Sequence, residues 1–250
     1  MITKQDKRDL LKSYNIKEIT GIETDQDKKI PQPDIEKPYC ETDLLIDLCP
    51  VKDFEKTQVN FIDVIGKRKS RRKYSQASIT FYELSLMLWC TQGIRKVVND
   101  GHTTLRTVPS AEARHPFETY LIVNNVESLN PGLYRYLPLE HKLLFKGELP
   151  DIKERLDDAT VNQKFISNSA VTFVWAVVPY RSEWSFPEEA YKLIAMDAGH
   201  MCQNLYLAAE AVGAGACAVA GYDQDKMDAL IGVDGKEEFT IYLAAVGRQL

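Results

Sequence analysis

The stretch Arg106–Val123, RTVPSAEARHPFETYLIV, joins two kinds of sequence. Pro109-Ser110-Ala111 is a turn of small residues flanked by Arg106 and Arg114. Phe117-Glu118-Thr119-Tyr120-Leu121-Ile122-Val123 is β-branched and aromatic, which is the composition of a strand. A small-residue loop feeding a strand lets a flat ligand lie against backbone, because no side chain intervenes. The stretch therefore reads as a strand with a ligand-facing loop at its mouth.

Downstream, Pro131-Gly132 is a turn, Leu133–Tyr136 a strand, and His141–Phe145 its hairpin partner. Asp151 to about Phe165 reads as a helix, and Ala170–Val178 as a buried strand. Ser185-Phe186-Pro187-Glu188 has the form of a capping box with proline in the first turn. It predicts a long helix running to about Val212, roughly 38 Å at 1.5 Å per residue, with Gly213 free to take the left-handed closing position. From Ile194 to Ala216 the formal charges are Asp197 and Glu210 alone, so this helix is buried in the core or in a subunit interface. The run Gly213–Tyr222, GAGACAVAGY, carries almost no side chains. It is either a tight helix-to-strand crossing or a backbone surface whose N–H groups face a ligand. A helix Gln224–Ile231 and a last strand Phe239–Val246, closing in Gly247-Arg248, complete the chain.

Upstream, Thr80-Phe81-Tyr82-Glu83 is a capping box, with Ile79 placed to staple against Leu84. The helix Phe81 to about Gln92 stops at Gly93, and Met87 and Trp89 belong to core packing. Phe61, Ile62, Val64 and Ile65 predict a short helix ending near Gly66. Six of the seven residues Lys67–Lys73 are basic, with Ser70 among them. Such a loop is either a solvated surface, including a nucleic-acid patch, or a phosphate grip of arginine forks and a hydroxyl. In a chain of net charge −5, one small phosphorylated ligand fits the compact cluster better than a polyanion. Residues 1–60 are broken by Pro31, Pro33, Pro38 and Pro50 and hold too few apolar residues for a core. They read as an extension wrapping a main domain, 61–250.

A chain of 250 residues with 44% hydrophobic content supports a substantial core. No apolar run approaches the ~20 residues that span a bilayer, and the N-terminus lacks a signal-peptide pattern, so a cytoplasmic protein is expected. Five scattered cysteines give no CxxC pair, and four separated histidines give no HExxH. Neither a GxSxG elbow, a Walker loop nor GxGxxG is present. Chemistry here is therefore expected from a cofactor held by the fold.

The succession of RKSRR, PSAEARHP, a long small-residue helix ending in GAGACAVAGY, and a final strand closing in Gly-Arg resembles the flavin-dependent nitroreductase family. Its SagB-type dehydrogenase branch is the most similar. The resemblance covers roughly 61–250. It implies an α+β fold with a mostly antiparallel sheet flanked by helices, and an intertwined homodimer with two FMN sites at its interface. By the same resemblance Arg68, Lys69, Ser70 and Arg72 hold the phosphate, with Arg248 able to meet it. Pro109, Ser110 and Ala111 pack on the flavin ring from the partner subunit, and Glu112 stands where the branch commonly has glycine. Gln163 matches a polar position near the pyrimidine edge, Gln203 belongs to a Gln-Asn pair on the long helix, and Ala220 and Gly221 offer amides toward N5 and O4. Lys164, Arg106 and Arg114 are candidate cations for the reduced ring.

One departure bears on activity. Azoline-oxidising relatives carry a Lys-Tyr pair before the long helix, where this chain has Trp184-Ser185-Phe186. The expected function is thus an FMN oxidoreductase: NAD(P)H reduces the flavin and leaves, and a nitroaromatic or quinone takes the electrons. No nucleic-acid or membrane partner is expected. The alternatives are a SagB-type azoline dehydrogenase and an FMN-binding protein without turnover.

Overall fold

The strand predicted from Phe117 to Val123 lies at the centre of a seven-stranded sheet. The computed structural model describes residues 3–12 and 21–250. Its main sheet contains β1 (Leu45–Asp47), β4 (Phe117–Val123), β5 (Gly132–Leu137), β6 (Lys142–Gly147), β7 (Val171–Val177), β8 (Ala214–Val219) and β9 (Phe239–Arg248). The strand order is β1-β6-β5-β4-β7-β9-β8, every pair antiparallel. A separate hairpin pairs β2 (Ile94–Val98) with β3 (Thr103–Arg106).

Both faces of this sheet are covered, which is why β4 and β7 read as continuous apolar runs rather than alternating ones. One face carries Leu121, Val123, Phe173 and Trp175, packed under α3 (Phe81–Gln92) and the long α7 (Ala190–Ala211). The other carries Tyr120, Ile122, Val174 and Ala176, under α4 (Ile152–Ala159), the short α5 (Lys164–Ser167) and α8 (Gln224–Ile231). Each fully buried aliphatic side chain contributes about 1.5–3 kcal/mol. α2 (Phe61–Lys67) lies just before the basic loop, and the short α6 (Tyr180–Glu183) just before the long helix.

The capping box of α3 forms as expected: Thr80 Oγ1 accepts from the Glu83 amide at 3.2 Å, and Glu83 Oε2 from the Thr80 amide at 2.8 Å. Two other expectations are corrected. Ser185 does not cap the long helix, which begins at Ala190 after Glu189. The chain already turns through α6, and the Ser185 hydroxyl donates to Gln26 at 2.9 Å, a tertiary partner invisible to a local motif. The helix expected over Asp151–Phe165 breaks after Ala159, because Val161 and Asn162 take left-handed conformations (φ 54° and 58°) before α5 begins.

The segment around residues 32–39 is pinned across the main body by backbone and charge. The Lys37 amide donates to Glu118 at 2.8 Å, Arg135 Nη2 donates to the carbonyls of Lys37 and Pro38, and the Leu139 amide donates to Glu36 at 3.1 Å. Beneath it Glu118, 2% exposed, pairs with Arg181 at 2.6 Å, and Glu238 holds both Lys37 and the Tyr120 hydroxyl. β1, from the same N-terminal part, extends the sheet at β6.

Candidate active site

Edge strand β8 organises the first cluster of expected residues. Its Gly215 pairs directly with Gly247 of β9, and the basic loop lies across this flat pair. A Cβ at Gly215 would stand 2.4 Å from the Arg71 side chain, and one at Gly247 2.7 Å from the Tyr74 ring. The small residues of the run therefore make room for the chain's own loop. Arg71 anchors that loop: its amide donates to the Ala216 carbonyl at 2.9 Å, and its guanidinium takes both oxygens of Glu210 at 2.9 and 3.0 Å. With Arg71 spent on structure, Lys69, Ser70 and Arg72 remain exposed and Arg68 half-exposed. The Arg68 guanidinium stands 5.3 Å over the Tyr206 ring and that of Arg72 5.7 Å over Phe165.

From Phe165 the cluster continues along α5. The break before α5 turns Gln163 outward, so that its Nε2 donates to the Gly221 carbonyl at 2.7 Å and to the Thr160 carbonyl at 3.0 Å. Ala220 and Gly221 are exposed just beyond the end of β8. Lys164 sits beside them, paired with Asp157 at 2.6 Å. Cations and a hydroxyl at one end and a carboxamide beside exposed small-residue backbone at the other suit a long ligand with an anionic tail and a flat polar head. FMN has that form.

Arg248 is placed differently. Its guanidinium pairs with Glu83, the residue that closes the α3 capping box, and donates to the carbonyls of Val212 (3.0 Å) and Ser78 (3.3 Å). Of the three candidate ring cations, Arg106 is excluded by burial. It is 3% exposed and donates to Gln92 at 2.8 Å, Thr104 at 3.1 Å and the Ile35 carbonyl at 3.3 Å. Burial pushes its guanidinium down to about 10. It supports the core and the N-terminal segment, not a ligand.

The Pro109–Glu112 loop forms a second, separate cluster. Asp197 of α7, buried, holds it by hydrogen bonds from the Ser110 hydroxyl and the Ala111 amide. Burial raises the Asp197 carboxyl, and those two donors and His200 offset part of the rise. Ser110 Oγ also accepts from the His115 amide at 2.9 Å, while Arg114 lies 5.0 Å over Trp184. Buried His115 is pushed down to about 3 by desolvation and the Arg106 charge, so its ring is neutral. Glu112 points out at φ 45°, in the left-handed region that favours glycine.

Asp197 and Glu210, the two charges of an otherwise apolar helix stretch, thus each moor one candidate loop. They are separated by about 20 Å along the helix axis at 1.5 Å per residue. Within one chain the two clusters do not meet, and Gln203 lies exposed on α7 between them. Sequence reasoning missed Tyr206, Phe165 and the mooring roles of Asp197 and Glu210. The isolation of two carboxylates on that helix was the available signal.

The model of the nitroreductase family matches residues 65–248. A Methanocaldococcus jannaschii protein bearing the nitroreductase name is 27% identical over 193 residues, which cover 77% of this chain and 93% of that protein. A solved nitroreductase-named structure from Ralstonia eutropha aligns at TM-score 0.67 and 23% identity, over 88% of this chain and 95% of that one. A Staphylococcus epidermidis structure named as an NAD(P)H:FMN oxidoreductase aligns at TM-score 0.55 and 14% identity, over 77% and 88%. Among the described residues no helix is long and apolar enough to cross a membrane. The chain belongs to the nitroreductase family and is an oxidoreductase.

Proposed function

We propose that this chain binds FMN along the outer side of β8 and works by a ping-pong scheme, with NAD(P)H as donor and a nitroaromatic or quinone as acceptor. The observation that supports this most is the meeting of the basic loop, Gln163 and the exposed Ala220-Gly221 backbone around one edge strand. When bound, FMN supplies the hydride chemistry. Arg68, Lys69, Ser70 and Arg72 would grip the phosphate by charge-assisted bonds. Gln163 and the amides of Ala220 and Gly221 would orient the polar edge of the ring, and Lys164 would supply a positive charge beside it. Arg248 reaches a phosphate only by leaving Glu83, so we give it the role of fixing the end of β9.

The Pro109-Ser110-Ala111-Glu112 loop, moored about 20 Å from the grip, would serve the flavin of a partner subunit in a homodimer. Exposed Phe61, Ile62, Tyr191 and Met196 supply apolar surface for such an interface. Within the family the PSAEAR motif points to the SagB-type branch. Ser185 and Phe186 provide neither the base nor the acid that azoline oxidation needs, and this favours the general reductase reading.

Purified protein should be yellow or take up added FMN, bleach with NADH or NADPH, recolour with a quinone, and run at twice the 28.4 kDa of one chain. Colourless protein that takes up no FMN refutes the reading. Full flavin occupancy with no reduction by either nicotinamide indicates a binding protein, and oxidation of a thiazoline peptide indicates the azoline activity.

A further inference from the structure

We propose that Tyr206 is the positioning residue of the anion grip, presetting Ser70 and Arg68 for a phosphate before any ligand arrives. The inference rests on the flavin reading and assigns a role to a residue outside the family-matched motifs of the loop. Tyr206 projects from α7, and its hydroxyl joins two elements far apart in sequence. It accepts from the Ala218 amide of β8 at 2.8 Å and lies 2.9 Å from Ser70 Oγ. Its ring carries the Arg68 guanidinium at 5.3 Å.

The alternation of β8 explains why a side chain is needed there. Odd residues of this edge strand exchange hydrogen bonds with β9, and even ones face away from it. The Ala214 carbonyl accepts from Gln249 Nε2 at 2.7 Å, and the Ala216 carbonyl from the Arg71 amide at 2.9 Å. The Ala218 N–H goes to Tyr206. A phenol oxygen has one proton and two lone pairs. With Ala218 on one lone pair, the phenol is oriented and its proton is available to a neighbour. The Cys217 thiol lies within reach, but thiol sulfur is a weak acceptor, so Ser70 Oγ takes the proton.

That direction has a consequence for the exposed serine. Ser70 accepts from Tyr206 and keeps its own proton facing outward, ready to donate to an anionic oxygen. The reverse direction would spend the serine proton inside the protein. A bound phosphate selects the first arrangement, and a chain of donors of this kind strengthens along its length. The same ring holds Arg68, otherwise a long and mobile side chain, in place beside Ser70.

Tyr206→Phe keeps the ring under Arg68 and removes only the hydroxyl. FMN and riboflavin share the ring system and ribityl chain, and only FMN carries the phosphate. Their dissociation constants are measured by quenching of flavin fluorescence, with the thermal midpoint recorded as a check on folding. Y206F should weaken FMN about 10-fold, or about 1.4 kcal/mol, and leave riboflavin unchanged. Ser70→Ala should give a similar loss, and the double variant little more than either alone, because both act on one donor chain. The proposal is overturned if Y206F leaves FMN affinity within about twofold of wild type, or if riboflavin weakens by the same factor. A wild-type chain that binds neither flavin overturns the flavin reading and this role together. A wild type that binds FMN while Y206F and S70A are unaffected overturns only the role of Tyr206.

Discussion

Glu112 holds a left-handed backbone conformation, followed by Ala113 and, after Arg114, by His115 in the same region (φ 45°, 54° and 45°). A Cβ in that region is crowded against the carbonyl, at a cost of about 1–2 kcal/mol. Glu112→Gly should therefore stabilise the protein by about 1 kcal/mol, raising Tm by about 2–4 °C, although glycine gives back part of the gain through unfolded-state entropy. FMN affinity should hold while the preference among acceptors changes, since an exposed carboxylate is lost. A thermal scan beside a flavin titration checks both, and a collapse of FMN affinity would show that the loop is misplaced. At this scale the sequence was a good guide where a motif is local, as in the Thr80–Glu83 box. It misled where a side chain's fate is set by distant partners. Arg106 looks like a site cation beside a ligand loop, and becomes a core residue only because Gln92, Thr104 and the Ile35 carbonyl surround it.

α7 is the element that relates the two clusters, and its carboxylates give it that role. Glu210, with a side chain 8% exposed, accepts through both carboxylate oxygens from Nη2 of Arg71, 18% exposed. Removing one partner strands a mostly buried charge, whereas removing both does not. Glu210→Ala should cost about 2–3 kcal/mol, discounted from the fully buried range for the exposure of Arg71. The Arg71→Ala, Glu210→Ala double variant should cost less than the sum of the singles in denaturant unfolding. Additive losses would mean that the pair does not hold the loop. β4 and β7 were readable as strands because burial on both faces leaves long apolar runs, whereas β1 and the side-chain-poor β8 carry no such run. The start of α7 and the break after α4 were not, because Ser185 spends its hydroxyl on Gln26 and the turn at Val161-Asn162 has no glycine to announce it. The hairpin β2–β3 carries an Asn99-Asp100-Gly101 turn signal that a hairpin template would have found.

Across the whole molecule the N-terminal segment is secured by charges set under it, and one of them titrates near neutrality. Burial, with Glu140 and Glu118 nearby, raises Glu36 from 4.5 to about 7 against the help of the Leu139 amide and the Arg106 charge. The folded state thus holds that proton more tightly than the unfolded chain does. Its contribution to stability is complete below about pH 4.5 and is lost as pH rises through about 7. The thermal midpoint of Glu36→Gln should exceed that of wild type above pH 7 and converge with it near pH 5 in a buffer series. A constant offset across that range would remove the carboxyl from this role. The seven-stranded sheet has one further consequence. An open sheet edge is a template on which another chain can add a strand, and the short β1 offers little of one. The opposite edge would offer more, but its outward Ala214 and Ala216 carbonyls and Ala218 N–H are taken by Gln249, Arg71 and Tyr206. The loop proposed to hold the ligand, through Arg71, is therefore also part of the guard against β-aggregation. Flavin loading, by fixing that loop, should lengthen the time such protein stays dispersed when warmed.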